Sequence, residues 1–526
     1  MTHTIQPVFP TAATAPQPAT QRVRKLSQYI DLLRGAGILK RKPGEHGPET
    51  PEALVQYVTD DSRDARPGAL FVCRGASFKR DYLVTAIAAG AIAYVSEVDY
   101  GVSAPAILVS DIRQALGLLA DAAWGHPSEQ LNLCAFTGTK GKTTCAYYLK
   151  GILDARTKRL GKRETPILSS ISFDDGVESG FSHLTTPEPF ELQKRIANAV
   201  ASGADAMVME ASSQALKYGR TTACAFSVGA FINIGEDHIS PIEHPTFEDY
   251  FASKLRIFAQ CKHAVVNLDS DHADEILAAA AQCESVATYS LADQNADVFA
   301  KHMERSDGGA RVAVHTPAFD CDVEVPTPAK FNISNALCAI ACALHMGATV
   351  DDVAHGFEGA MVPGRMELHP SHSGRIVGVV DYAHNGMALE ALLRDLREHY
   401  PDREICVVFG ATGGKALDRR ETMGIAAGKY ADRIVITEDD PGPENVEDIC
   451  AEIARNVAAQ GNGNWQIVLD RTEAIRTAVR ETTTRPAIVV AAGKGAETSQ
   501  KRGSGSVSMV PDGKVLRQAL DEFDAQ

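Results

Sequence analysis

The stretch Leu131-Asn-Leu-Cys-Ala-Phe136, followed by Thr137-Gly-Thr-Lys-Gly-Lys-Thr-Thr144, decides how the rest of the chain is read. The first six residues form a short apolar run of strand length, and a helical pattern follows from Cys145 to Asp154. A glycine-containing loop between a strand and a helix is the setting a phosphate-binding loop requires. Gly138 and Gly141 let the backbone N–H groups around Thr139 and Lys140 crowd an anion, and the helix N-terminus adds its dipole. Lys142 can neutralise β- and γ-phosphates, and the hydroxyl of Thr143 or Thr144 can bind Mg²⁺. The spacing departs from the common G-x-x-x-x-G-K-[ST] pattern, because Phe136 stands where the first glycine would be.

Strands and helices alternate on both sides of this loop. Towards the N-terminus, Gly68–Cys73, Ala91–Ser96 and Ala104–Ser110 are apolar runs, and Ile112–Trp124 reads as an Ala/Leu-rich helix broken by His126-Pro127. Beyond the loop, buried-strand runs recur at Ala206–Glu210, Ser227–Asn233 and Ala264–Asn267, and a helix spans Asn335 to Met346. After Pro363-Gly-Arg365 come four more runs, Arg375–Val380, Glu404–Phe409, Arg433–Thr437 and Pro486–Ala492, each ending in a polar or Gly-rich loop. That arrangement predicts an α/β protein with mostly parallel sheets whose ligands bind beyond the carboxyl ends of the strands. The expected division is a disordered tail over 1–22, an α/β domain over 23–128, a nucleotide-binding domain over 129–362 and a second doubly wound domain over 363–526.

Composition narrows the function. Of 526 residues, 44% are apolar and 23% charged, as in globular proteins. Lys plus Arg number 52 against 67 Asp plus Glu, a formal charge of −15. A general nucleic-acid or anionic-membrane binder needs a basic surface, so neither is expected. The eleven cysteines are scattered without a C-x-x-C pair, which suits reduced thiols in the cytoplasm. No signal peptide or membrane span is apparent.

Three polar residues interrupt apolar patterns. Glu210 closes one buried run, and His238 follows another in Gly235-Glu-Asp-His238. Both suit Mg²⁺ ligation at a sheet edge; the alternative is a helix N-cap glutamate and a capped loop histidine. Lys254, in Tyr250-Phe-Ala-Ser-Lys254, shares a helical face with Phe251, Leu255 and Phe258. A lysine there must snorkel, pair or change its charge.

In order along the chain, Thr137–Thr144, Leu184-Thr-Thr-Pro187, Met209-Glu-Ala-Ser-Ser213, Asp237-His238, Tyr250–Lys254, Val362-Pro-Gly-Arg-Met-Glu367, Val380-Asp-Tyr-Ala-His384 and Gly493-Lys-Gly495 together resemble the Mur ligases. The branch it is most similar to adds the third amino acid of the peptidoglycan stem to UDP-N-acetylmuramoyl-L-alanyl-D-glutamate. The resemblance implies three domains, binding in turn the UDP-sugar, ATP and the amino acid, and amide formation through an acyl phosphate in the cytoplasm by a monomer. It implies that Lys142 holds phosphates, that Thr143 or Thr144 and Glu210 bind one Mg²⁺, and that His238 and a carbamylated Lys254 support a second. Asn335 is placed near the adenine, Arg365 and Asp381 near the phosphate and ribose, and Ser62, Thr185, Thr186, Ser212 and Arg220 around the UDP-sugar dipeptide.

Members that add meso-diaminopimelate carry Asp-Asn-Pro-Arg where this chain has Asp439-Asp-Pro-Gly442. The arginine that pairs with a distal carboxylate is missing. The resemblance therefore implies L-lysine, with L-ornithine next, its ammonium received by Asp439, Asp440 or Glu497. A folylpolyglutamate-synthetase-like ligase and a non-catalytic Mur-like subunit are the alternatives. Against the first stands the Asp61-Ser62-Arg63 region; against the second, Lys142, Glu210, His238 and Lys254 are all present.

Overall fold

The computed structural model describes residues 16–40, 52–75, 78–236, 239–240, 243–306, 308–482 and 485–525. It falls into two compact units, the first comprising Met1–Ala135, Thr157–Gly229 and His238–Lys262, the second Phe136–Arg156, Ala230–Asp237 and His263–Gln526.

In the first unit, strands Tyr57–Thr59, Ala69–Val72, Ala91–Ser96 and Ala106–Leu108 form a four-stranded parallel sheet. Helix Ile112–Trp124 covers it. The Asp111 carboxylate accepts hydrogen bonds from the N–H groups of Arg113 and Gln114, and the helix stops at Gly125, whose φ of 80° suits a residue without Cβ. Its apolar face, Ala115, Leu116, Leu119, Ala122 and Ala123, packs with Leu26, Tyr29 and Leu33 of helix Leu26–Gly35 and with Val58, Leu70 and Val95 of the sheet. Gly117 allows a close approach there, since a Cβ would meet that of Thr222 at 2.5 Å. Each fully buried aliphatic side chain in this core contributes roughly 1.5–3 kcal/mol.

Residues Ala19 to Arg22, counted with the tail on composition, are tied down. Ala19 N donates to Asn198 Oδ1 at 2.9 Å, Gln21 exchanges two hydrogen bonds with the backbone of Val58, and Arg22 N donates to Ala123 O. Polar, Pro-containing sequence says nothing about such pairings. Strands Ser179–Phe181, Ser172–Asp174, Ile167–Leu168 and Ala206–Glu210 follow in that spatial order, the last two parallel and Ala206–Glu210 wholly buried.

The second unit holds the phosphate-binding loop, helix Lys330–His345, an antiparallel meander of Val298–Ser306, Gly309–His315 and Asp320–Val325, and a C-terminal six-stranded sheet. That sheet runs in the order Glu367–Pro370, Ile376–Asp381, Ala487–Ala492, Glu404–Phe409, Arg433–Ile436, Trp465–Ile467, all parallel except the first. Alternate residues feed two cores. Val377, Val379, Val407 and Phe409 pack under helices Gly386–His399, Asp418–Tyr430 and Val446–Ala458, whereas Ile376, Val380, Cys406 and Val408 pack under Arg471–Arg480 and Asp512–Asp524. The sheet is therefore doubly wound, with its loops at the carboxyl ends free to build a site. Among the described residues no helix is long and apolar enough to cross a membrane.

Candidate active site

The phosphate-binding loop leads into helix Lys142–Arg159 and is held by its neighbours in the second unit. Lys140 N donates to Asn233 Oδ1 at 2.9 Å and Asn233 Nδ2 returns a bond to Lys140 O at 3.2 Å. Thr139 Oγ1 accepts from Gly235 N at 3.1 Å, and Cys145 N donates to Gly141 O. Lys142 Nζ lies back over the loop, donating to Gly138 O at 2.8 Å and Thr139 O at 3.3 Å. Thr143 and Thr144 are buried at the start of the helix. Gly141 has φ 86°, and a Cβ on it would meet Asn335 Oδ1 at 2.5 Å. Asn335 thus packs directly beneath the loop, its amide donating to Asn332 Oδ1 at 3.0 Å.

Asp381 ends strand Ile376–Asp381 and turns back, accepting from Met366 N and Ala383 N at 2.8 Å each. Burial pushes its carboxyl up, against the opposing pull of Arg365 and, from the phosphate-binding loop, Lys140. The Arg365 guanidinium lies 4.1 Å over the Tyr382 ring. Next to these, the loops after four parallel strands surround a cavity of about 180 Å³, lined by Tyr382, His384, Lys415, Arg419, Asp439, Asp440 and Glu497 among others. His384 Nδ1 donates to Tyr382 O at 2.7 Å, and burial holds the imidazole neutral, with its pKa lowered to about 3.

Behind the lining carboxylates Lys494, 1% exposed, pairs with Asp440 at 2.8 Å and with Glu497, while Asp439 stands 4.0 Å away. Burial opposes its charge, but the three carboxylates outweigh burial and raise its pKa. Burial pushes Asp439 up to about 6 despite Arg471 and Lys494. Asp440 has φ 46°, a left-handed conformation a non-glycine residue adopts only when its surroundings enforce it. Here its side chain also accepts from Lys501 N at 2.9 Å. The cavity thus carries three carboxylates, which share the ammonium of Lys494, together with Lys415 and Arg419.

In the first unit, the Glu210 carboxylate, 1% exposed, accepts from Ser170 N at 2.7 Å and lies at a strand end; the cap of the following helix is Ser212. Thr186 Oγ1 donates to Glu210 O at 2.9 Å and accepts from Ser212 N at 3.0 Å. Arg220 donates to Thr186 O at 3.3 Å and pairs with Glu188 at 3.0 Å; Glu188 also pairs with Arg74, which binds Asp60. Ser62 and Thr185 are half-buried in loops beside this chain of charges. Lys254 is 1% exposed, so it does not snorkel, and its ammonium stands 4.6 Å from the Tyr250 ring centre.

The predicted residues thus gather into local groups: Gly138 to Thr144 with Asn335; Arg365 with Asp381; Asp439, Asp440 and Glu497; and Thr186 with Glu210, Ser212 and Arg220. His238 lies outside the described residues. The sequence pattern passed over Lys494, though it sits inside Gly493-Lys-Gly495, and Lys415 and Arg419, which follow the Gly-rich loop after Glu404–Phe409. Their place at strand ends was the available signal.

Models of two protein families match the chain, "Mur ligase middle domain" over residues 136–343 and "Mur ligase, glutamate ligase domain" over 364–495. A UDP-N-acetylmuramoyl-L-alanyl-D-glutamate–L-lysine ligase of Streptococcus thermophilus is 39% identical over 84% of this chain and 88% of its own length. One of the same description from Enterococcus faecalis is 40% identical over 85% and 88%. Among solved structures, a UDP-N-acetylmuramoyl-L-alanyl-D-glutamate–2,6-diaminopimelate ligase superposes with a TM-score of 0.65 at 27% identity, covering 90% of this chain and 96% of that one. Folylpolyglutamate synthase of Mycobacterium tuberculosis shares the fold at 18% identity, with a TM-score of 0.56 over 72% of this chain. Near full-length likeness to ligases at 39% and 40% identity defines the chain as an amide-forming, ATP-dependent ligase, and it belongs to the Mur ligase family.

Proposed function

We propose that this protein joins L-lysine to UDP-N-acetylmuramoyl-L-alanyl-D-glutamate with ATP, in the cytoplasm, where both nucleotides are made. Near full-length likeness to ligases named for that reaction supports the reading, and the observation that carries the choice of amino acid is the cavity at Asp439, Asp440 and Glu497. Residue 442 is Gly, so no arginine stands there to attract a second carboxylate, and the nearby Arg502 is engaged by Glu438, with Nε to Oε2 at 3.1 Å.

Amine and carboxylate at neutral pH form a salt, so the acceptor must first be activated. The terminal carboxylate of the dipeptide attacks the γ-phosphorus of ATP, the bond to ADP breaks, and an acyl phosphate forms. The neutral amine of lysine then attacks the acyl carbon, the carbon–oxygen bond to phosphate breaks, and the amine proton leaves to solvent or a base. Lys142 and the start of its helix meet the phosphate charge, the N–H groups of Thr139 and Lys140 being taken by Asn233, Asn335 backs the loop, and Arg365 and Asp381 serve phosphate and ribose. Ser62, Thr185, Thr186, Ser212 and Arg220 hold the UDP-sugar dipeptide. Segments 23–128, 129–362 and 363–526 would divide these tasks.

Among the described residues no three His, Cys, Asp or Glu side chains cluster tightly enough to hold a metal unaided. A single oxygen ligand, such as the Glu210 carboxylate or the hydroxyl of Thr143 or Thr144, would serve Mg²⁺ completed by phosphate oxygens and water. A second ion would use His238 and Lys254 carrying a carbamate, formed as amine plus CO₂ gives carbamate plus a proton. Such ions supply positive charge to the phosphate oxygens.

The purified protein is expected to release phosphate from ATP only when the UDP-linked dipeptide and a diamino acid are both present. In a panel, lysine should lead, ornithine follow and meso-diaminopimelate fail; a preference for diaminopimelate would reverse the amino-acid assignment, and turnover of folate with glutamate would reject the reading. Asp439 predicts a pH effect on the same assay. Its pKa of about 6 lies above the ordinary 3.8, so it loses charge as pH falls through 6, and KM for lysine should rise there while KM for ATP holds. A flat lysine KM between pH 7.5 and about 5.5 would remove Asp439 from the ammonium site.

A further inference from the structure

A second polar chain lies behind the acceptor residues of the first unit. His244 is fully buried, with its Nδ1 2.7 Å from Asp249 Oδ2 and its Nε2 3.0 Å from Ser213 Oγ. The same Asp249 oxygen accepts from Lys217 Nζ at 2.7 Å, and Lys217 also donates to Glu243 O at 3.1 Å. The imidazole meets the Tyr250 ring edge-on at 5.1 Å.

The donors in this chain can be assigned from chemistry. An ionised carboxylate only accepts, so Nδ1 carries the proton. Burial, with Lys217 and Lys254 adding to it, lowers the His244 pKa against the pull of Asp249, so the ring is neutral and Nε2 accepts. The Ser213 hydroxyl is therefore the donor, its proton committed inward. Ser213 opens the short helix Ser213–Lys217, whose cap is Ser212, and Lys217 closes it. Both ends of that helix are thus fastened to residues 243–249, and Arg256 adds a third tie through Lys217 O at 3.1 Å. A buried polar network of this kind fixes one arrangement when every member is satisfied.

We propose that His244, held by Asp249, is a positioning residue for the nucleotide acceptor: it fixes Ser213 and so sets the Ser212 hydroxyl and the adjoining Thr186 loop in the geometry that receives the UDP-linked dipeptide. This rests on the functional reading above. Hydrolysis by this Ser-His-Asp set is not implied, because the imidazole is closed to solvent.

Steady-state kinetics of the full chain test it. His244→Ala and Ser213→Ala should each raise KM for UDP-N-acetylmuramoyl-L-alanyl-D-glutamate about five- to tenfold, the size of one lost hydrogen bond, with KM for ATP and lysine moving less than twofold. The double variant should be no worse than His244→Ala alone, since both remove one interaction. His244→Gln, whose carboxamide oxygen can accept from Ser213, should recover most of the loss. Equal rises in all three KM values, a fall confined to kcat, additive losses or no recovery with Gln would each overturn the proposal. Ser213→Ala keeps it falsifiable if His244→Ala does not fold. Wild-type protein that ignores this nucleotide would overturn the functional reading first, a result distinct from any variant's behaviour.

Discussion

Lys254→Ala is expected to lose about 10³-fold in turnover, the scale of removing a group that supports charge at a phosphoryl centre. Two observations motivate the size. The side chain is 1% exposed near the end of helix Phe247–Leu255, which also buries Tyr250 and Phe251, and its ammonium stands 4.6 Å from the Tyr250 ring centre. A lysine amine takes up CO₂ in its neutral form. The resulting carbamate is an anion on a long stem, suited to Mg²⁺ where a lysine is not. Acetate supplied in the assay should restore part of the activity of Lys254→Ala, because a free carboxylate can occupy the space left. Full activity without additive would remove the carbamate from the mechanism, and loss of activity that no carboxylate relieves would point to packing alone.

Lys142→Ala should cost about 10²–10³-fold in kcat, the usual loss when one preorganised charge on a transferring phosphoryl group is removed. In the structure its ammonium is satisfied by Gly138 O and Thr139 O, so the loop already holds it at the mouth of the phosphate site. Calorimetric binding of the UDP-linked dipeptide should be unchanged. More than a tenth of wild-type turnover would show that phosphate charge is met elsewhere in the loop.

The parallel strands were legible because their residues are buried on both faces and read as unbroken apolar runs, as Ala206–Glu210 and Ala487–Ala492 do. The phosphate-binding loop was legible because glycine and lysine at a strand end have few other uses. Lys254 was legible as a lysine on an apolar stripe. Residues that act across long separations were not. Lys494 meets Asp440 from 54 positions away, and His244 meets Ser213 from 31. No local period encodes such pairs, and an isolated histidine before a helix reads as a turn. The hydrogen bonds of Ala19 to Arg22 were hidden for the same reason.

The seat of Gly141 against Asn335 bears on how the protein acquires its nucleotide site. Cys145, one turn into the helix, donates weakly to the carbonyl and side chain of the same asparagine across 190 residues of sequence. Bringing such distant segments together carries a loop-closure cost that slows the formation of contacts of this span. During synthesis the loop sequence therefore emerges long before the residue that braces it, and a fragment ending ahead of helix Lys330–His345 would carry the motif without its support. Competence to hold a triphosphate is in this sense a property of the folded unit, acquired when distant segments meet, and not of the eight residues that announce it.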